Sequence, residues 1–315
     1  MNPVSRPLLT LIITGVFFVG AGCGLLFQRN VVLGNLLRAA GVWAPEAGAE
    51  AWSMATRPAP GLPQAFQGRL ALFALAGQSN MAGWGNLPEQ QALHPRAFVF
   101  GNDYVWRPAS EPIDDPQRQV DQVPLGSGRM GPGMAFATTL LAAEPDLIVG
   151  LIPCAKGDTS IHQWQRSLGD DTLYGSCLKR IAAASTMGDL AAVLFFQGEA
   201  DALDPQKFPE RTLSAENYGE MFTRYVEDLR ADLQQSDLPL VFAQIGSHSA
   251  PLDFVNWRVV QQQQAALDLP CTRMITTDDL ALMDAVHFTS ASYQTIGERF
   301  ASAYLVLMAS EACGG

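Results

Sequence analysis

A doubly wound α/β domain built around a mostly parallel sheet is predicted by three features of the sequence. First, six mainly apolar runs each stop at a Gly, a Pro or a polar residue, as buried parallel strands do; they cover residues 70–76, 97–100, 146–152, 190–196, 240–245 and 273–277. Second, segments with apolar residues at helical spacing separate most of these runs; they cover residues 134–143, 173–185, 218–233, 255–267 and 290–308. Third, alternating strands and helices are typical of a parallel sheet with helical crossovers.

The composition fits one large globular domain. The chain has 315 residues, of which 48% are hydrophobic and 16% are charged, so there is ample material for a core. The net charge of -11 and the lack of any basic run argue against a nucleic-acid partner. We expect a globular body over residues 69–310, preceded by a membrane anchor or signal segment over 1–28 and a lead-in rich in Ala, Gly and Pro over 29–68.

The N-terminal segment predicts an attachment to a membrane. Residues 8–27 carry no charge and are numerous enough to cross a bilayer as a helix, which takes about 20 residues. An uncleaved transmembrane helix is favoured, because the apolar region of a cleaved signal peptide is usually shorter. A cleaved signal and a lipoprotein signal acylated at Cys23 remain open. With an anchor, we expect the body to be periplasmic or extracellular.

The cysteines leave two interpretations open. Outside the apolar segment there are four of them, without CxxC pairs or zinc spacing, so we predict no metal site; they are Cys154, Cys177, Cys271 and Cys313. In an oxidising compartment they supply up to two disulfides of undetermined pairing. Buried free thiols are the alternative.

Residues with catalytic potential lie at the predicted strand ends and in the loop before the last helix. Ser79, in Gly-Gln-Ser-Asn-Met, lies just beyond the first strand, where a nucleophile is well placed and where an ordinary polar turn is the alternative. Asp284 and His287 are three residues apart, a spacing that lets a carboxylate orient an imidazole. A doubly wound sheet brings such positions to one edge.

Several motifs in a fixed order resemble one family. They are Gly-Gln-Ser-Asn-Met at 77–81, Gly-Pro-Gly-Met at 131–134, the stretch from Gly150 to Trp164, Gln-Gly-Glu-Ala-Asp-Ala at 197–202, and Asp-x-x-His at 284–287. Over about residues 70 to 305 the chain resembles the SGNH/GDSL hydrolases. It is most similar to the branch that contains the sialate O-acetylesterases and the acetylxylan esterases of carbohydrate esterase family 6.

The resemblance implies a fold, an activity and a catalytic set. The fold is a three-layer α/β/α flavodoxin-like domain, and the activity is serine-dependent removal of acetyl groups from carbohydrate hydroxyls without a metal or organic cofactor. Ser79 would be the nucleophile, His287 the base and Asp284 its orienting acid. The oxyanion hole would use the N–H of Ser79, a backbone N–H between Gly131 and Gly133, and the side-chain amide of Gln197.

Further residues are expected to touch substrate or to shape the surrounding loops. Gln78 and Asn80 flank the nucleophile and Thr159 lies in the loop after the second long strand, whereas Asp158 stands where relatives usually have Gly. We expect Asp158 either to border the pocket or to face solvent. Trp164 is expected either to stack on a sugar or to lie in the core or at its rim.

Two further residues have alternative roles. Glu199 is the runner-up for the acid that orients His287, although a strand-end carboxylate more often holds a loop. His248 follows a strand end, where it either contacts substrate or serves a structural role.

The leading functional hypothesis is therefore a membrane-tethered serine esterase acting on an acetylated carbohydrate. Two alternatives remain: a catalytically silent carbohydrate-binding or surface scaffold protein, and a glycan O-acetyltransferase that uses the same three side chains. The sequence leaves the sugar open among xylan, sialic acid and bacterial surface polysaccharide.

Overall fold

A seven-stranded sheet forms the centre of the computed structural model, which describes residues 61–90, 93–117, 119–310 and 313. The strands lie in the order β3-β2-β4-β1-β5-β6-β7, and every neighbouring pair is parallel except β2 and β3. Their bounds are β1 Leu70–Gly77, β2 Ala97–Phe100, β3 Trp106–Pro108, β4 Val149–Pro153, β5 Gly188–Phe196, β6 Leu240–Ala243 and β7 Thr272–Ile275.

The strand order defines a doubly wound topology. Counted along the chain, β4-β1-β5-β6-β7 has the order 2-1-3-4-5 that is typical of flavodoxin-like sheets. The pair β2 and β3 extends this sheet beyond β4. From β1 the chain adds β4 on one side of this strand and then β5 on the other side. The strand order therefore reverses next to β1, and ligands bind at such a switch point.

Six α-helices accompany the sheet in the part of the chain that the structure describes. They are α1 Ser79–Ala82, α2 Gly133–Ala143, α3 Leu173–Ala184, α4 Tyr218–Leu233, α5 Trp257–Ala265 and α6 Ser290–Met308. Helix α2 packs along α6, and α4 packs against α5. The predicted α/β class and all five predicted helices are confirmed. The sequence missed β3, because three residues are too few to show a periodic pattern.

The first strand is covered on both faces and ends beside β5. All residues of β1 are buried except Ala71, which is half-buried. Gly77 pairs with Phe196 in the register of the two strands, so β1 and β5 end level with each other. Gly77 has a φ of 125°, and a Cβ there would lie 2.1 Å from the Phe196 carbonyl oxygen. Only glycine allows the chain to turn this closely around the strand end.

The four cysteines of the body form two disulfides, Cys154–Cys177 and Cys271–Cys313. The first ties the residue directly after β4 to helix α3, and the second ties the residue before β7 to the C-terminal end of the chain. The predicted anchor over residues 8–27 lies outside the described residues. Within those described, none of the helices combines the length and apolar character needed to span a membrane.

Candidate active site

The turn that follows β1 presents Ser79. Gln78 leaves the strand in an extended conformation and donates its N–H to the Phe196 carbonyl at 2.8 Å, which fixes the exit of the chain. Ser79 then begins the single turn of α1, and the N–H of Gly83 closes that turn on the Ser79 carbonyl at 2.8 Å. Since Gly83 has a φ of 99°, the turn stops there and leaves Ser79 at the carboxyl edge of the sheet.

Three side chains from the two ends of the domain form a hydrogen-bonded chain. The Ser79 Oγ lies 2.8 Å from Nε2 of His287, and Nδ1 of the same imidazole lies 2.8 Å from Oδ2 of Asp284. The second contact assigns a proton to Nδ1, because a carboxylate only accepts, and leaves Nε2 free to accept the proton of Ser79. The structure therefore brings the three predicted catalytic residues together.

Local hydrogen bonds hold Asp284 in place. Its Oδ1 accepts the backbone N–H of Val286 at 3.0 Å and that of His287 at 2.8 Å. Partial burial acts to raise the pKa of Asp284, but these two donors and the imidazole outweigh it and lower the pKa overall. The carboxylate therefore stays ionised and can stabilise a protonated His287.

Trp84 is a residue of the site that the sequence did not reveal. Its indole stacks on the His287 imidazole, with ring centroids 4.6 Å apart and an interplanar angle of 20°. The Arg129 guanidinium lies 4.9 Å from the centroid of the indole. Trp84 therefore limits rotation of the imidazole and is not a free platform for a sugar ring.

Trp84→Ala is expected to lower kcat about tenfold with little change in KM, because a freely rotating imidazole is aligned with Ser79 less often. Trp84→Phe is the matched variant, since it keeps an aromatic ring against His287, and it should lose less than half of that effect. Steady-state kinetics on an acetate ester would measure both variants. Equal losses in the two, or a loss confined to KM, would contradict a positioning role.

Asn80 lies at the centre of a buried network beneath these residues. Its side-chain amide donates to Oε1 of Glu199 and, at 3.1 Å, to the carbonyl of Val286. Its Oδ1 accepts the hydroxyl of Tyr293 at 2.6 Å. Asn80 therefore connects the nucleophile turn, the end of β5, the His287 loop and helix α6, which gives a physical role to a residue first noted as a family mark.

Glu199 is buried and supports the site indirectly. Burial raises its pKa to about 7, although the hydrogen bond from Asn80 acts in the opposite direction. The alternative prediction that Glu199 orients His287 is wrong, because Asp284 occupies that position. Glu199 instead contacts Asn80 next to the nucleophile.

In the native protein we expect the free energy of unfolding to fall as the pH rises from about 5 to about 8. Glu199→Gln should make this fall smaller. The native pKa is raised, so the unfolded chain loses this proton first and stability falls as the pH rises toward about 7. A shift of this size corresponds to about 3 kcal/mol. Urea unfolding at both pH values would test this, with the exposed Glu216→Gln as the control. A native pH slope in Glu199→Gln would contradict the expectation.

Gln197 does not offer the oxyanion donor that the resemblance implied. Its amide nitrogen donates at 2.7 Å to the Thr159 carbonyl and at 2.7 Å to Oδ2 of Asp201, and it lies 3.3 Å from Oε1 of Gln78. An amide nitrogen carries two hydrogens, so both are committed. Gln197 therefore joins the strand end to the 156–159 loop, and Asp201 holds a second loop through the N–H of Ser214 at 3.1 Å.

The glycine that borders Ser79 is Gly157. In the predicted donor loop, the N–H of Gly131 donates to Oε2 of Glu111 at 3.4 Å, and a Cβ on Gly133 would lie 2.9 Å from the Leu75 side chain. A Cβ on Gly157 would lie 3.6 Å from the Ser79 Cβ. Among the described residues, the N–H groups of Ser79 and Gly157 donate to no protein acceptor. A glycine just beyond a strand end was the available sequence signal.

Three further candidate residues, Trp164, Thr159 and His248, pack against or bond to protein groups. Trp164 is fully buried and packs against Phe195 and Tyr225, so its role as a sugar platform is wrong. Its indole nitrogen donates to the Thr159 hydroxyl at 3.2 Å, which makes Thr159 a support of the loop. His248 stacks on Trp257 at 4.6 Å, and burial lowers its pKa, which favours the neutral imidazole.

The remaining candidate, Asp158, lies at the protein surface. Asp158 faces solvent with 67% of its side chain exposed, and it pairs with Arg211 across the rim of the site. Within the described part of the chain, no three His, Cys, Asp or Glu side chains cluster as metal ligands do.

Many ester hydrolases have a serine, an imidazole and a carboxylate that are hydrogen-bonded in series. Here these three groups lie at the edge of a parallel sheet. The family model described as "Carbohydrate esterase, sialic acid-specific acetylesterase" matches residues 69–306 of this chain. The chain therefore belongs to this carbohydrate esterase family. This confirms its resemblance to the sialate O-acetylesterase branch of the SGNH hydrolases.

Individual relatives agree with this assignment. The chain is 31% identical over 258 residues to a protein of Arabidopsis thaliana named "Probable carbohydrate esterase", with 74% of this chain and 90% of the relative covered. The solved structure of that plant protein superimposes with a TM-score of 0.63 at 29% identity, covering 76% of this chain and 98% of the other. NanS shares the fold with a TM-score of 0.59 at 19% identity, covering 77% and 98%.

A carbohydrate acetylesterase from Xanthomonas citri also shares the fold, with a TM-score of 0.52 at 18% identity, covering 74% of this chain and 55% of that one. The family assignment makes this chain a carboxylic ester hydrolase, and it supports hydrolysis of O-acetyl groups on carbohydrate. It favours the esterase hypothesis over a catalytically silent binding protein.

Proposed function

We propose that this protein removes O-acetyl groups from a carbohydrate through a Ser79–His287–Asp284 triad and an acetyl-enzyme intermediate. The observation that carries the proposal is the continuous pair of 2.8 Å contacts from Ser79 Oγ through His287 to Asp284. These distances lie within the range required of a nucleophile, its base and an orienting group. The family assignment independently supports acetyl esters as the substrate class.

The first half-reaction acylates Ser79. His287 takes the hydroxyl proton on Nε2 while the Ser79 Oγ attacks the acetyl carbonyl. Asp284 stabilises the imidazolium that forms, which agrees with the factors that keep this carboxylate ionised. The imidazolium then gives its proton to the sugar oxygen, so the carbohydrate leaves as a neutral alcohol and the acetyl group stays on Ser79.

Two backbone donors form the proposed oxyanion hole. They are the N–H of Ser79, which begins α1 and so has no acceptor within that helix, and the N–H of Gly157 beside it. Loss of one such donor typically costs about 3 kcal/mol of transition-state stabilisation. This pair replaces the donors first expected from Gln197 and from the Gly131 to Gly133 segment.

The second half-reaction releases acetate. His287 removes a proton from a water molecule, which attacks the acetyl carbonyl of acetyl-Ser79. The resulting oxyanion is stabilised by the same two donors, and the imidazolium returns a proton to the Ser79 Oγ as acetate leaves. A cofactor has no part in either half-reaction.

We also propose that the enzyme works outside the cytoplasm, tethered by its N-terminal segment. The two disulfides support an oxidising compartment, because such bonds are rare in the reducing cytosol. The uncharged run over residues 8–27 supports attachment to a membrane. Fractionation of cells that produce the full chain, followed by protease accessibility of the body, would test both points.

The experiment that tests the activity is acetate release from a panel of acetylated glycans, including acetylated xylan and acetylated sialic acid. We expect release from at least one glycan and no loss of the glycosidic bonds. Adding a deacetylated acceptor sugar separates a hydrolase from a transferase. No acetate from any glycan, or acetyl groups recovered mainly on the acceptor, would contradict the proposed hydrolysis.

A further inference from the structure

One ion pair lies on the loop that carries the proposed oxyanion donor. Asp158 accepts two parallel hydrogen bonds from Arg211, Nη1 to Oδ1 and Nη2 to Oδ2. The backbone of Asp158 has a φ of 63°, in the left-handed region where glycine is favoured and most side chains are strained. An aspartate at such a position, paired with a guanidinium through two hydrogen bonds, calls for an explanation beyond the local turn.

The pair is within reach of a bound sugar. Asp158 directly follows Gly157, whose Cα position borders Ser79. Neighbouring Cα atoms are about 3.8 Å apart, so Asp158 lies one residue from the glycine that borders Ser79. Arg211 belongs to the chain between the end of β5 and helix α4, and the N–H of Ser214 anchors that segment to Asp201 beneath the site.

The pairing occupies the end of the Arg211 guanidinium that carries Nη1 and Nη2. A guanidinium recognises a carboxylate best through two parallel N–H donors, and Asp158 already takes that pair. The remaining Nε of Arg211 lies 3.8 Å from a carboxylate oxygen of Glu210. Two carboxylates therefore offset the charge of Arg211, although 29% of its side chain is exposed.

Two other cations of this region also interact with protein groups. Lys156 is half-buried and lies in the field of Asp114 and Asp158. Arg129 lies over Trp84 and donates Nη1 to the Trp84 carbonyl at 3.3 Å. The whole chain carries a net charge of -11, so its field repels anionic substrates.

We propose that Asp158 is a specificity-determining residue, which occupies Arg211 and so excludes sugars bearing a carboxylate in favour of uncharged acetylated glycans. The proposal rests on the acetylesterase function and names the substrate class of the same site. Within a family whose description refers to sialic acid, it assigns this chain to neutral sugars. Removing the Asp158 carboxylate would free the Nη1 and Nη2 donors of Arg211, which could then receive the carboxylate of an acidic sugar.

The test compares two substrates that differ only in charge. They are a methyl glucoside and the matching methyl glucuronide, each with one acetyl group at the same hydroxyl. The full-length native enzyme should prefer the glucoside. Asp158→Gly, which suits the left-handed backbone, should raise the glucuronide-to-glucoside ratio of kcat/KM by about fivefold, mainly through KM, and the gain should fade with added salt.

Two further variants test whether Arg211 causes the change in the ratio. Adding Arg211→Gln to Asp158→Gly should remove the gain, because the proposed receptor is gone. Glu220→Gln deletes the same charge from another exposed arginine pair, on helix α4, and should leave the ratio unchanged. An unchanged ratio in Asp158→Gly, or a gain that survives loss of Arg211, would overturn the proposal. Absence of hydrolysis of both sugars and of the glycan panel by the native enzyme would instead refute the proposed function itself.

Discussion

Ser79→Ala is expected to lower kcat for acetate release by about a millionfold, the scale on which loss of a triad nucleophile acts. The change removes only the hydroxyl group of Ser79. The Oγ of this group lies within hydrogen-bond distance of Nε2 of His287. Without it no acetyl-enzyme forms, and only slow attack by water on a bound ester remains. Acetate release and para-nitrophenyl acetate hydrolysis would both measure the loss.

The same experiment extends to the base. His287→Ala should lose kcat on a similar scale, and the double variant should lose hardly more than either single one, because the two side chains act as a unit. Near-native thermal unfolding would show that Ser79→Ala folds, since Asp284 still holds His287. A folded Ser79→Ala enzyme that retains a tenth of native activity would remove Ser79 from the mechanism.

Asn80→Ala is expected to lower the free energy of unfolding by about 3 kcal/mol and to reduce kcat as well. The change leaves the buried Glu199 carboxyl and the Tyr293 hydroxyl without this partner, and it frees the carbonyl of Val286 next to His287. Unpaired buried polar groups cost more than the hydrogen bonds themselves contribute. Urea unfolding would measure the stability, and kinetics at a temperature well below unfolding would measure kcat.

A surface asparagine provides the matched control for this prediction. Asn86 lies near the same turn but is exposed, so Asn86→Ala should change stability by less than about 0.5 kcal/mol. If Asn80→Ala were as mild as Asn86→Ala, the buried network would not support the site. If stability fell but kcat per folded molecule did not, Asn80 would matter to the fold and not to the position of His287.

Much of the architecture follows from local patterns. The helices Tyr218–Leu233 and Ser290–Met308 were predicted with their observed bounds, because each carries a clear apolar face. The parallel strands were also predicted, with ends that differ by a few residues. Register is a long-range property, so the sequence did not specify that Gly77 lies level with Phe196.

The proposed catalytic residues were predictable from the sequence, but the residues that surround them were not. Ser79, Asp284 and His287 stand in short motifs, so their residue types and spacing point to their chemistry. Trp84 and Trp164 show the limit of this approach: each is a tryptophan in a plausible loop, but tertiary packing buries Trp164 and places Trp84 on His287. Burial and stacking depend on partners far away in the sequence, which a local pattern does not contain.

The oxyanion hole illustrates the same point with backbone groups. Gln197 has a suitable side chain at a suitable strand end, but Thr159 and Asp201 take both of its amide hydrogens. Gly157 has no side chain that would point to a function in the sequence, although its Cα position borders Ser79. Which N–H groups remain unpaired is decided by the whole hydrogen-bond network.

The most direct test of the mechanism is to trap the acyl-enzyme. The native protein is mixed with an activated acetate ester, quenched in acid within one turnover, digested and mapped by mass spectrometry. We predict one acetyl group on the peptide that contains Ser79, absent from Ser79→Ala and lost on a chase before the quench at the rate of acetate release. Turnover without acetyl-Ser79, or stoichiometric acetylation of another residue at a catalytically competent rate, would contradict the account.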